Sequence, residues 1–176
     1  MRKTALLVYG KPRKKDSVFK FNMGLNKNIK LMGEVADLEG YSVKELPLEG
    51  LNYFISKENC FDNDFLFYFT GHADKDHLGS KLFFTNDLLS KMNDNSVKKF
   101  IVLDACAGSY EGGENFEALD LPRNSRIIGA KEVYDNKSLA KLLHDIVVSR
   151  KIPLDKINKE TFDQIKHNWV YFKETK

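Results

Sequence analysis

Cysteine is scarce in this chain. Of 176 residues only two are cysteines, Cys60 and Cys106. They stand in different contexts, with no CxxC spacing and no Cys/His ligand pattern, which argues against a disulfide scaffold, a structural zinc and a dithiol redox centre. Long apolar runs are missing too. None approaches the roughly 20 residues of a membrane-spanning helix, and the apolar stretch after Met1-Arg2-Lys3-Thr4 is too short for a signal peptide. The expectation is a soluble, cytoplasmic protein with no membrane contact. Neither sign of charge dominates: 28 basic and 25 acidic residues leave a net +3, without the basic, aromatic-laced face that a nucleic acid needs. With four prolines there is no proline-rich linker, nor any repeat or low-complexity tract.

What is present is apolar material for a core, 42% of the chain, enough for one domain over residues 1–176. Thr4 to Tyr9 is a short apolar run stopped by Gly10 and Pro12, as in a strand covered on both faces. Leu25, Ile29, Met32 and Ala36 fall at helical spacing, and Gly40 follows where a helix end wants a left-handed residue. Tyr41 to Leu46 alternates like a half-buried or edge strand, and Leu51, Phe54 and Ile55 suggest a helix. Phe65 to Phe69 is the most aromatic run and ends at Thr70-Gly71-His72. Lys81 to Phe84 reads as a short strand, Leu88, Leu89 and Met92 as one face of a helix. Phe100 to Leu103 is a second buried strand, ending at Asp104-Ala105-Cys106. Arg126 to Gly129 is strand-like, Leu139 to Val147 carries a helical stripe, and Phe162, Ile165 and Trp169 predict a terminal helix with a short extended tail. Strands alternating with helices predict an α/β fold with a mostly parallel central sheet covered on both faces. In such sheets ligands bind at the carboxyl ends of the strands, where His72 and Cys106 both fall.

A thiol of ordinary pKa near ~8.5 is mostly protonated at neutral pH, so a cysteine nucleophile needs a neighbour that takes its proton. Histidine is the usual partner, and neighbouring strands lie only ~5 Å apart. Gly71 and Ala73 flank the histidine; Ala105, Ala107 and Gly108 flank the cysteine. Small residues let a substrate backbone approach and leave peptide N–H groups free for a developing oxyanion, for which the N–H groups of Ala73 and Cys106 are the candidates. Cys60, with no histidine motif near it, reads as structural. His77, His144 and His167 read as surface residues.

Tyr68-Phe69-Thr70-Gly71-His72-Ala73 and Val102-Leu103-Asp104-Ala105-Cys106-Ala107-Gly108-Ser109 resemble the paired signatures of the caspase, metacaspase and CHAT group of cysteine peptidases. The likeness runs in order over most of the chain, and Glu132-Val133-Tyr134-Asp135 is similar to CHAT domains in particular. It implies a caspase-like three-layer α/β/α sandwich and an endopeptidase acting on protein or peptide substrates through a thioester acyl-enzyme. Cys106 is then the nucleophile and His72 the general base and acid, with no metal or cofactor in the chemistry.

Resemblance to metacaspases implies that Asp104 lines the pocket for the residue before the cleaved bond and favours Lys or Arg; equally, it is a strand-end carboxylate accepting backbone hydrogen bonds. Asp135 either joins that pocket or, with Asn136, caps the helix that follows. The basic run Lys11-Pro12-Arg13-Lys14-Lys15 should lie on the same edge and argues for acidic substrates, or is a solvated loop. The balance leans to basic residues. The acidic stretch with Glu111, Glu114, Glu117 and Asp120 reads as a solvated loop, or as a surface for a regulatory protein partner. The rival function is a non-catalytic caspase-like domain that binds a protein through this edge.

Overall fold

The computed structural model describes residues 3–14, 16–57, 64–74, 77–78, 83–92, 97–106, 119–130, 138–165 and 169–176. In chain order the elements are β1 (Lys3–Tyr9), α1 (Val18–Leu38), β2 (Tyr41–Pro47), α2 (Leu51–Lys57), β3 (Phe65–Asp74), β4 (His77–Leu78), β5 (Phe83–Phe84) and α3 (Thr85–Lys91). They continue with β6 (Lys99–Cys106), β7 (Ser125–Ala130), α4 (Leu139–His144), α5 (Lys159–Gln164) and β8 (Val170–Glu174). The sheet runs β2-β1-β3-β6-β7-β8. Every neighbour along it is parallel except β8, which is antiparallel to β7. The two-residue strands β4 and β5 form a small antiparallel ladder at the end of β3.

Strand alternation divides the core into two layers. Ala5 and Leu7 of β1, Leu66 and Tyr68 of β3, and Phe100 and Val102 of β6 pack with Ile29, Met32 and Val35 of α1 and with Leu139 and Leu143 of α4. The intervening Leu6 and Val8, Phe65, Phe67 and Phe69, and Ile101 and Leu103 face the other way, onto Leu51 of α2 and Leu88 and Leu89 of α3. Because the central strands are buried on both faces, they read as continuous apolar runs. Each side chain taken wholly out of water contributes ~1.5–3 kcal/mol, so a slip of one residue in these strands, which exchanges every side chain between layers, is strongly opposed.

The α1 stripe is buried as its spacing predicts. The helix closes with the Glu39 N–H donating to Val35 O and with Gly40 at φ +78°, the left-handed conformation that glycine adopts without a Cβ clash. Past α4 the stripe continues through a π-helical turn, Asp145–Ser149, that keeps Ile146 and Val147 buried.

Of the strand expected over Lys81–Phe84, Phe83–Phe84 is a strand, residues 79–82 lying outside the described part. One expectation is corrected. The terminal helix stops at Gln164, and Trp169, expected on its face, is buried beyond it, just ahead of β8. Val170, Tyr171 and Phe172 are β-branched and aromatic, and as a strand they pair the outer edge of β7, which would otherwise expose unpaired N–H and C=O groups. Three apolar residues at helical spacing could not reveal that competing demand.

The backbones of β1 and β3 come unusually close where both leave the core. The Gly10 N–H donates to Thr70 O at 2.9 Å, and Gly71 holds φ +149°, with the site of an added Cβ 3.0 Å from both Gly10 Cα and Gly10 N. A side chain at 71 meets backbone that cannot rotate away. Gly71→Ala is expected to cost about 2–4 kcal/mol in urea denaturation, whereas Gly24→Ala, which meets nothing within 4 Å in a helix interior, is expected to gain up to about 1 kcal/mol.

Candidate active site

The ladder between β3 and β6 runs without a break from Phe65 opposite Lys99 to His72 opposite Cys106. The two expected catalytic positions are thus register partners on adjacent parallel strands, at the carboxyl edge. Ala73 follows within β3 and pairs with Leu78. Asp135 lies outside the described residues.

The imidazole of His72 is held from two sides. Its Nε2 lies 2.6 Å from Asp16 Oδ2, and its side chain is 13% exposed. The Phe21 ring of α1 stacks on it, with centroids 4.8 Å apart and planes 19° from parallel. Asp16 is itself fixed within a tight turn: its carboxylate accepts the Arg13 N–H at 2.5 Å, and its own N–H donates to Arg13 O at 2.9 Å. The bond from the Arg13 N–H is the main reason its carboxyl sits below the ordinary carboxylate range; partial burial opposes that, and His72 adds a smaller pull downward. Asp16 is therefore ionised throughout the neutral range, and the contact with His72 gives way only in acid.

Asp104, two residues before Cys106, is 7% exposed. Its carboxylate accepts the Tyr68 hydroxyl at 2.8 Å, the Leu139 and Ala140 N–H groups at 3.1 and 3.0 Å, and the Asn28 amide at 3.5 Å. Ser138 Oγ stands 3.1 Å from Asp104 and 2.8 Å from Asn28 Oδ1, with one proton to share between them. Asp104 thus receives backbone N–H groups from the first turn of α4, the second of the two roles open to it in sequence. The helix cap is Ser138, whose Oγ accepts the Lys141 N–H, in place of Asp135 or Asn136. A residue next to the first buried turn can reach these amides, and its partner Asp104 comes from a strand 34 residues away.

The other sequence candidates are dispersed. His144 contacts Glu34 at 2.8 Å on the exposed seam between α4 and α1. Lys11 is an exposed member of the basic loop, paired with Glu49 at 2.7 Å. His77 belongs to β4; Cys60, His167, Lys15, Glu111, Glu114 and Glu117 lie outside the described residues. A cavity of about 480 Å³, lined by Lys3, Asp64, Lys98, Arg126 and Glu174 among others, opens at the amino edge of the sheet, away from His72. No helix among the described residues is long and apolar enough to cross a membrane.

Asp16, Phe21, Asn28 and Ser138 were not legible as site residues. Phe21 carried a signal, since it extends the stripe of Leu25 and Ile29 by one further step of four. Asp16 carried a fainter one: it ends the loop that leaves β1 at the same edge, where the basic residues before it draw the eye.

A mostly parallel sheet in this strand order with helices on both faces is a caspase-like α/β fold. Among solved structures the chain is similar to the crystal structure of Caspase-1 from Spodoptera frugiperda, with a TM-score of 0.67 and 14% identity over 99% of this chain and 86% of that one. A structure of pro-sf-caspase-1 matches with a TM-score of 0.61 and 16% identity over 84% of this chain and 72% of the other. At such identity the likeness is one of fold. No protein-family model and no curated protein matches the sequence.

Burial raises the Asp104 carboxyl above its ordinary 3.8, against the opposing hydrogen bonds of Ala140, Tyr68, Leu139 and Ser138. The native state then holds this proton more tightly than the unfolded chain, so the stability it carries is complete below pH 3.8 and is lost as the pH rises through the folded-state value. The urea midpoint of the unmodified protein, less that of Asp104→Asn, should shrink as the pH rises from 3.8. Asp104→Ala, which strands buried donors, should lose about 3 kcal/mol at neutral pH.

Proposed function

We propose that this chain is a cysteine endopeptidase acting through Cys106 and His72. The observation that carries the reading is their register: one ladder sets the two positions opposite each other at the sheet edge where α/β folds bind ligands. Tyr68 and Val102, further back along the same two strands, pack toward α1, and the Phe21 ring of α1 stacks on His72.

In the reaction His72 accepts the Cys106 thiol proton, and the thiolate adds to the substrate carbonyl carbon to form a tetrahedral oxyanion. The Cys106 and Ala73 N–H groups are the proposed donors to that oxyanion. Collapse breaks the C–N bond, His72 returns the proton to the departing amine, and a thioester remains. Water, deprotonated by the same imidazole, then releases the acid and regenerates the thiol. The substrates are proteins or peptides. Control by a regulatory partner at the loops on this edge suits a protease that acts on few targets.

A preference for Lys or Arg before the scissile bond is the finer part of the proposal. It requires Asp104 to give up part of its donor set when substrate enters, and Lys11 and Arg13 on the basic loop are its competitors for an acidic preference.

A peptide-based electrophile should label the protein at Cys106, with labelling abolished in Cys106→Ala and slowed by roughly 10²–10⁴-fold in His72→Ala. Absence of labelling of the unmodified protein would overturn the peptidase reading. A peptide library varied at the residue before the scissile bond should show the basic preference, and its survival in Asp104→Ala would remove Asp104 from the pocket.

A further inference from the structure

We infer that Asp16 is the positioning residue that selects the tautomer of His72, so that Nδ1 is the nitrogen turned to Cys106. The inference rests on the peptidase reading for its consequence, though not for its geometry.

A carboxylate only accepts hydrogen bonds. The 2.6 Å contact between Asp16 Oδ2 and His72 Nε2 is favourable only when Nε2 carries the proton, and Asp16 is held ionised by the Arg13 N–H. A neutral imidazole has one N–H. With that proton on Nε2, the lone pair resides on Nδ1, which has no hydrogen-bond partner among the described residues. Nδ1 is then the basic nitrogen, available to a thiol on the facing strand, and Asp16 stabilises the imidazolium once that proton has been taken.

The contact is built to hold its geometry. Asp16 closes a turn on Arg13 through both its carboxylate and its N–H. That turn leaves β1 at Gly10, whose N–H bonds Thr70 O two residues before His72. The stacked Phe21 ring opposes rotation of the imidazole out of its plane. Donor, acceptor and ring plane are thus tied to β1, β3 and α1 independently of any substrate.

The test compares Asp16→Asn, Asp16→Ala and Asp16→Glu in the full chain. It reads kcat and KM on a cleaved peptide, and the ¹⁵N shifts of the His72 ring nitrogens, assigned through His72→Gln. In the unmodified protein Nε2 should be the protonated nitrogen. Asp16→Asn can turn an amide N–H toward Nε2 and favour the opposite tautomer, so both it and Asp16→Ala should lower kcat by roughly 10- to 100-fold with little change in KM, and both should lose the Nε2-protonated signature. Asp16→Glu, with a longer carboxylate, should recover part of each. An unchanged tautomer in Asp16→Asn and Asp16→Ala overturns the inference, as does a kcat within twofold of the unmodified protein or above it; the last would mark Asp16 as a latch. If no variant and no unmodified protein cleaves peptide, yet the tautomer responds as expected, the positioning role of Asp16 stands and the peptidase reading falls.

Discussion

The parallel pairing of β3 with β6 is the constraint on which the site depends. Both strands are buried on both faces, so their register is held by two core layers at once, with Tyr68 and Val102 in one and Phe67 and Ile101 in the other. Such a ladder cannot slip without turning aromatic and branched side chains into the wrong layer. Its last rung therefore sets His72 opposite Cys106 as a consequence of core packing some distance from the edge. The functional proposal draws its geometry from that packing.

Asp104 joins this ladder to the helices. From β6 it reaches the first turn of α4 through the Leu139 and Ala140 N–H groups, β3 through Tyr68 and α1 through Asn28. A carboxylate taken out of water is expensive unless its lone pairs are met, and here donors from three elements meet them. The orphan N–H groups that begin any helix are satisfied in the same place, so the start of α4 and the strand that ends at Cys106 are mutually located by one buried group.

The loop after β1 works differently. It contributes Asp16, kept ionised by the Arg13 N–H, and α1 contributes Phe21; between them they determine how the His72 ring lies. Backbone pairing places the residue, and these side chains orient it. On the opposite edge of the sheet the same strands frame a cavity lined by both signs of charge, with no histidine among its walls.

Much of this was readable beforehand. Runs such as Phe65–Phe69 and Phe100–Leu103 are apolar over a length and composition that suit only doubly covered strands, so the parallel sheet, the order of elements and the edge on which His72 and Cys106 fall followed from local pattern. The α1 stripe and the left-handed Gly40 were equally local. The strand Val170–Glu174 was concealed by the helical spacing of Trp169, because pairing with β7 outweighed helical periodicity there. Asp16 beside His72 spans 56 positions, and Ser138 beside Asn28 spans 110. Periodicity and propensity report what each segment buries against its own axis, and those the sequence alone determined. Which polar side chains meet across such separations depends on the register of strands and the seating of α1 and α4, and only the tertiary structure decided it.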